Sequence, residues 1–569
     1  MKRLIIILAL SFVTALASGQ SMYDAIAYGE NNYYGTARSM ALGNAMTAVG
    51  GDLGSVALNP AGAAVSNYLQ FVITPGVSIS STSSSYASEY GASQYQGPYN
   101  TNKARFMMPN LGLNVHFYLP GTFFKSMSFA LVCNSTQQHL FFAEAAGSNS
   151  ATAMSGAFAY SANYNADGSG HMMEPDVFKN YGNEGAYTNT NYGWNELCAY
   201  QSNMISYDSK NKGYWGVAEA LDGSILGPLR QTSQRQRVGT KNDLVANFAF
   251  NHDDSFYLGI SLGIPFQRYS YSEIFREAPE DNQRFPITFN TEKGPITTCY
   301  TGSLYDYAYS AKIDGIYGKV GFIWLPVKGL RVGASFQSPT SMTISETYRT
   351  SISSTFEDSR LSSSGTSPLG EFHYRMTSPY RASFGVATTF GTAGLLSLDY
   401  ELTDFSIMRY REMRYNGNLM NGSFAVVNNV MKNFCGRSHY LRAGAELKLG
   451  PCFAVRLGYT FRTSPECHYM NNLGNVVYAS DFEADFDRYM NRELTLSGRA
   501  YDFSQAVHTA SVGFGFASTG SFFADAVVRF NKYPDSSFAP YAKYSYANAP
   551  DVKVRNNLFD AAITFGWRF

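Results

Sequence analysis

The chain has 569 residues, with 43 Lys plus Arg against 43 Asp plus Glu, so it lacks the basic excess expected of a nucleic-acid partner. Charged residues make up 15% and aromatics another 15%, with 42 Tyr and 41 Phe. Soluble domains carry roughly 25% charge, so this balance argues against an ordinary soluble enzyme and suits the aromatic girdles of a membrane barrel.

The first element is a secretory signal peptide over residues 1–20: Met1-Lys2-Arg3, an apolar run from Leu4 to Val13, then small residues from Ala15 to Gln20. No Cys lies there, which argues against a lipoprotein. No later apolar run reaches the roughly 18 residues that a membrane helix needs. An exported chain with no helical span and strong alternation points to a β-barrel.

Residues 21–66 are rich in small side chains, as in the stretch from Tyr34 to Gly62, which suits packing in a confined space. Asn59-Pro60 marks a turn, because Pro fixes φ and removes a donor.

From residue 67 the alternation predicts about fourteen antiparallel strands. They lie near 67–80, 103–117, 123–134, 242–252, 255–269, 304–325, 329–348, 370–389, 393–411, 437–449, 452–464, 502–517, 520–533 and 554–569. Connections sort by parity. Short turns such as Leu119-Pro120-Gly121, Asp253-Asp254 and Gly450-Pro451 follow the even strands. Long connections follow the odd ones, so all long loops share one side, as in outer-membrane barrels.

The loop expected over 135–241 exceeds a simple connection and is read as folding over the barrel mouth. A short helix is expected over 215–223, and the Ser- and Thr-rich loop over 349–369 is expected to be mobile. Phe141, Phe142, Phe158, Tyr160, Trp194, Tyr214 and Trp215 line a groove on one reading and form small satellite cores on the other.

Strand faces alternate between large apolar and small or polar residues. Arg331, Arg381, Asp399, Glu401, Arg442, Glu446, Arg456, Asp525 and Arg529 fall on the polar faces. A charge facing lipid near the midplane costs about 2–4 kcal/mol, so these residues are assigned to the lumen. Two roles stay open for them: ion pairs that stiffen the wall and hold its filling, or a path for a polar or anionic ligand. In the closing strand, Phe559, Ile563, Phe565, Trp567 and Phe569 share one face against Asp560, Thr564 and Arg568. An aromatic final residue resembles the signal read by barrel-insertion machinery.

No P-loop and no GxSxG elbow occurs, and the eight His are scattered, so neither an enzyme nor a cofactor is expected. Six Cys show no zinc spacing, and Cys198 with Cys299 or Cys435 with Cys467 are candidate loop staples.

The motif Gly35-x-x-Arg38-x-Met40-x-x-Gly43-x-Ala45, then Gly51-Asp52, then Asn59-Pro60-Ala61-Gly62, resembles the plug of FadL-type long-chain fatty acid transporters. The likeness continues at Met108-Pro109-Asn110-Leu111-Gly112, at Leu330 to Pro339 and at Thr377 to Arg381. The resemblance implies an all-β, fourteen-stranded transmembrane barrel over 67–569 in the Gram-negative outer membrane, with residues 21–66 as a plug. It implies passive transport of hydrophobic small molecules such as fatty acids, with plug movement and side release into the lipid. A third-strand kink would fall at Asn134 and Ser135, although the same residues also read as the strand's end. Some FadL-like barrels instead resemble shuttles for secreted proteins, and that alternative is carried alongside. The expected partners are therefore a hydrophobic ligand, outer-membrane lipid and the insertion machinery, with no nucleic acid.

Overall fold

The computed structural model describes residues 21–87, 95–96, 98–164, 172–188, 192–220, 222–291, 294–415, 418–419, 424–542, 544 and 549–569. The expected signal peptide over 1–20 lies outside these residues.

Fourteen antiparallel wall strands form a closed barrel. They are β1 (Gln70–Ala87), β2 (Tyr99–Tyr118), β3 (Ser126–Asn149), β4 (Leu229–His252), β5 (Phe256–Pro279) and β6 (Gly294–Val327). Then come β7 (Leu330–Gln337 and Ser341–Phe356), β8 (Gly370–Thr377 and Arg381–Thr389) and β9 (Gly394–Asp404, continued by Arg409–Glu412). The circuit finishes with β10 (Arg437–Leu449), β11 (Phe453–Arg462), β12 (Val507–Ala517), β13 (Phe522–Lys532) and β14 (Asp551–Arg568). β14 pairs with β13 and returns to β1, from Gln70 opposite Arg568 to Ala87 opposite Asp551. Closure leaves no sheet edge, which a lipid environment demands because it offers no water to stray backbone groups.

Strand order and short turns follow the alternation. Asp253 and Asp254 both adopt positive φ, at 51° and 54°, the two-residue turn whose twist matches a hairpin. Pro339 and Pro379 interrupt β7 and β8 side by side, since proline has no N–H for the ladder.

Outward positions carry an apolar belt. On β5 it comprises Leu258, Ile260, Leu262 and Ile264, on β6 Ile316, Val320 and Trp324, and on β9 Leu396 and Leu398, all exposed. A continuous apolar girdle of this size is not tolerated in water, so the barrel spans a membrane, and its architecture is that of the outer membrane. Among the described residues no helix is long and apolar enough to cross. On β5 and β6 the belt ends at the exposed ion pair Arg268–Asp314, 3.4 Å.

Past that pair the strands continue into water, and here the structure corrects several expectations. β4 begins at Leu229 instead of 242, β6 at Gly294 instead of 304, and β3 runs on to Asn149. The connection expected over 135–241 is therefore confined to 150–228. Beyond the belt the outward face turns polar, as at Arg230, Gln234, Ser270 and Arg276, so the apolar-outside alternation stops reporting the strand. The helix expected over 215–223 does not form: Gly213–Gly216 pairs as a strand with Ile205–Asp208. A Cβ on Gly216 would lie 2.6 Å from the Ser155 backbone, so the hairpin is pressed against helix α3 (Met154–Asn163). The 349–369 segment carries regular structure: β7 runs on to Phe356, and Ser363–Thr366 folds back on it. All six cysteines are free thiols, so neither expected staple is present.

Phe158 and Tyr214 are buried in a cap core, with Tyr160 and Trp194 packed against it. Phe141 and Phe142 belong to β3 itself. The cap sits on the long-loop end of the barrel.

Candidate functional site

Residues 21–66 lie inside the barrel. The segment starts among the outer loops with helix α1 (Met22–Gly29), capped reciprocally by Ser21 and Asp24. Met22, Ala25, Ile26 and Tyr28 pack with Tyr269, Tyr309, Tyr374 and Phe424 in an aromatic cluster at the outer end of the lumen. The Tyr28 and Tyr309 hydroxyls are 2.6 Å apart, and Tyr309 and Tyr374 both donate to Glu346. The chain then descends through helix α2 (Ala37–Ala41) and two 3₁₀ turns (Leu53–Ala57 and Pro60–Val65) to the first wall strand.

The motif residues hold this path together. Asp52 accepts from Thr36 Oγ1 at 2.6 Å and from the Gly54 amide, joining two distant turns. Asn59 donates to the Thr47 and Phe322 carbonyls, so it ties the segment to itself and to β6. Pro60 opens its 3₁₀ turn, where a missing N–H costs nothing, and Ala61 and Gly62 are buried behind it. Arg38 pairs with Glu446 at 2.9 Å. Gly35 passes Gly54 so closely that a Cβ would lie 3.2 Å from its Cα. Gly43 sits at φ +60° against β10 and β11, with Tyr459 N 2.9 Å from where a Cβ would be.

Every lumenal charge picked from the sequence points inward, and most of them bind the segment. Arg381 donates to the Gly29 carbonyl and pairs with Glu401. Glu401 also pairs with Arg442 at 2.7 Å. Asp399 accepts from the Thr47 amide at 2.7 Å. Arg331 donates to the Val49 carbonyl at 2.6 Å and Arg529 to the Tyr33 carbonyl at 2.9 Å, while Arg529 also pairs with Asp560. Arg456 bridges Glu446 and Asp525. All of these groups except the half-buried Arg331 are buried, and a buried charge persists only when paired and hydrogen-bonded. A small polar space with room for about one water remains, lined by Asn32, Tyr33, Asn44, Tyr440, Arg442 and Arg529.

The third strand is the most irregular part of the wall. β3 pairs with β2 from Tyr118–Ser126 only as far as Asn110–Asn134, where Asn110 Nδ2 donates to Asn134 Oδ1 at 2.5 Å. Beyond this rung, β2 stays on β1 and β3 stays on β4. Among the described residues only Tyr95 and Gln96, against Gly147 and Ala146, rejoin β3 on that side. Among the described residues a seam with no ladder therefore runs between residues 100–109 and 135–145. The register of β3 on β4 skips Thr136, between Ser135–Asn242 and Gln137–Lys241, which is a β-bulge. It switches the inward face from even to odd positions, and residues 134–140 are buried on both faces. The strand does not end at Asn134.

The bulge meets the amino-terminal segment. The Asn32 amide donates to the Thr136 carbonyl at 2.7 Å, and the Tyr34 amide to the Ser135 carbonyl at 3.0 Å. Lys241, opposite Gln137, donates to the Tyr28 and Glu30 carbonyls. The first two carbonyls past the last β2 rung, those of Ser135 and Thr136, are thus satisfied by the segment.

Lys241, Lys319 and Asp560 were not picked as site residues. Lys319 donates to the Ala57 carbonyl. Their inward parity was the available signal for Lys319 and Asp560. For Lys241 the expected start of β4 at 242 hid it.

The chain is similar to FadL-type channels. A Pseudomonas aeruginosa FadL homologue aligns over 95% of this chain and 100% of its own, at 10% identity and a TM-score of 0.49. The Ralstonia pickettii toluene transporter TbuX aligns over 95% and 99%, at 13% identity and a TM-score of 0.44. The monoaromatic hydrocarbon channel CymD aligns over 94% and 98%, at 10% identity and a TM-score of 0.40. No family model and no curated protein matches the chain.

Proposed function

We propose that this protein is a passive outer-membrane channel for hydrophobic small molecules, long-chain fatty acids among them. Residues 21–66 act as its plug, and the β2–β3 seam acts as its side exit. The observation that carries this reading is the pair of bonds from Asn32 and Tyr34 to Thr136 and Ser135. The plug and the exit share hydrogen bonds, so displacing one exposes the other. The aromatic cluster above them offers apolar surface to a solute arriving from outside. Release sideways gives such a solute the hydrocarbon phase, worth about 0.8 kcal/mol per CH₂ removed from water. In this scheme outer-membrane lipid surrounds the belt, and the insertion machinery reads the closing strand.

The test is uptake of labelled fatty acid and labelled toluene by a null strain and by the same strain complemented with the gene. The expected outcome is a several-fold fall in uptake of at least one ligand in the null. Unchanged uptake of both would overturn the channel. The cap is held by a core that it shares with Phe275 and Ile352 of the wall, and that observation favours a second reading, a docking platform for secreted proteins. A secreted protein that co-purifies with the intact barrel and is lost on trimming 150–228 would establish it.

A further inference from the structure

The outside of the wall changes character just past the apolar belt. Counting outward along β6, the last large apolar residue exposed is Ile316, and the next two on that face are Asp314 and Lys312. The ladder carries this level across the sheet. Asp314 lies opposite Thr343 of β7, Thr343 opposite Arg375 of β8, and Arg375 opposite Arg411 of β9. One step nearer the belt on β9, Arg409 lies opposite Thr377. One step farther out on β6, Lys312 lies between Arg268 of β5 and Ser345 of β7. Ile313, Ile344, Tyr374 and Tyr410 are buried in the lumenal cluster, so period two points these basic residues away from the lumen. Lys312, Arg375 and Arg411 are exposed and Arg409 is half-buried.

The charges on this face do not cancel. Arg268 takes up Asp314 at 3.4 Å. Glu371 stands four positions farther out than Arg375 on the same strand. Among the described residues Lys312, Arg375, Arg409 and Arg411 enter no ion pair. Arg375 and Arg411 are direct cross-strand neighbours, with Cβ atoms about 5 Å apart, and like charges so placed destabilise a sheet. The fold gains nothing from them. Their depth supplies a reason. A strand rises about 3.3 Å per residue and is tilted by about 35–45° in such a barrel, so the face begins about 5 Å above the belt, in the headgroup layer.

We propose that Lys312, Arg375, Arg409 and Arg411, with Arg268, form a docking face for the phosphates of the outer-leaflet glycolipid, lipopolysaccharide. Charge and span select this occupant. Arg375 and Lys312 stand two strands apart and one step out of register, a Cα separation of roughly 12 Å. A phospholipid headgroup offers one phosphate and serves one of these centres. The glycolipid carries a phosphate at each end of a rigid disaccharide and serves both. Thr343, exposed between them, offers a hydroxyl to the sugar. Guanidinium groups bind phosphate through parallel N–H donors, and basic clusters at the membrane surface recognise phosphate-bearing lipids in this way. The face is independent of what passes through the lumen.

The experiment measures binding of bisphosphorylated lipid A, of its monophosphorylated form and of phosphatidylglycerol to the full chain by native mass spectrometry, in neutral detergent with a chelator. It compares wild type with the double variant Arg375→Gln, Arg411→Gln and with Lys328→Gln, a control in the exposed β6–β7 turn at the opposite end of the barrel. The double variant is used if its lipid-free thermal midpoint equals or exceeds that of wild type, as loss of a like-charge pair predicts; otherwise Arg411→Gln alone takes its place. Wild type is expected to bind the bisphosphorylated lipid about 10-fold tighter than either other lipid. That binding falls about 10-fold in the double variant, about 3-fold in Arg411→Gln and not at all in Lys328→Gln. Undiminished binding by the arginine variant overturns the proposal, as does binding of none of the three lipids. A monophosphorylated lipid or phosphatidylglycerol that binds wild type as tightly also overturns it, because one phosphate then suffices. An equal loss in Lys328→Gln overturns it too, because the effect is then one of overall charge.

Discussion

The Tyr34 amide donates to the carbonyl of Ser135 at 3.0 Å, so a residue of the lumenal segment completes the hydrogen bonding of a wall strand at the point where that strand leaves its neighbour. Tyr34→Pro removes this donor and leaves a carbonyl unpaired, a loss of about 1–3 kcal/mol. The barrel is expected to fold normally while the segment loosens. Faster hydrogen exchange over 28–40, with unchanged exchange in β10 to β13, is the check.

Arg38 and Arg456 share Glu446. Arg38→Ala removes one of the two partners from a buried carboxylate, and breaking such a pair costs about 3 kcal/mol or more. The double change Arg38→Ala, Glu446→Gln is expected to recover part of that loss, because no unpaired charge remains. Thermal unfolding of the two variants separates the outcomes.

Wall glycines make room for the segment. A Cβ on Gly333 would lie 2.2 Å from the Thr47 carbonyl oxygen, and one on Gly458 2.1 Å from the Gly43 nitrogen. Gly333→Val and Gly458→Val are therefore expected to lift the segment off the wall. Deleting 21–62 is expected to remove it altogether. In planar bilayers the wild-type barrel should be nearly silent, the valine variants should flicker, and the deletion should conduct steadily.

Outside the belt, burial pushes the Glu277 carboxyl up to about 7 and that of Glu219 also to about 7. Glu277 accepts from the Met154 amide at 3.1 Å and from Gln231 at 2.6 Å, docking α3 on the wall, and among the described residues no cation pairs with it. The folded form therefore holds protons that the unfolded form has released above its ordinary value near 4.5. Cap stability is greatest below that value and falls as pH rises through the window up to about 7. Exchange over 153–163 should be faster at pH 8 than at pH 5.5, and Glu277→Gln should flatten the difference.

Ile260 faces lipid on β5, 54% exposed. Ile260→Arg should cost about 2–4 kcal/mol if it lies at the bilayer midplane, whereas the same change in the exposed outer part of β5, Ser270→Arg, should cost nothing measurable. Urea unfolding in lipid vesicles compares the two.

Much of this architecture was legible in the residues alone. Lipid tolerates neither an outward charge nor an unpaired backbone, so the strands within the belt alternate strictly. Leu396 and Leu398 against Asp399 and Glu401 report both a strand and its orientation. Loop parity and turn residues such as Asp253-Asp254 then order the strands. The motif around Asn59 marked the lumenal segment because close passage over a wall requires Gly, Ala and a side chain that bonds to backbone.

Tertiary structure decided the rest. The outer halves of β4 to β6 stand in water, where neither face must be apolar, so nothing in the pattern announced them. The two readings of Asn134 and Ser135 differed only in which neighbour receives their backbone groups, and a strand's own side chains carry little information about that. The same holds for the charges: period two placed Arg381, Arg442 and Glu401 inside, but their meeting depends on the register of three strands and on a segment more than three hundred residues away in sequence.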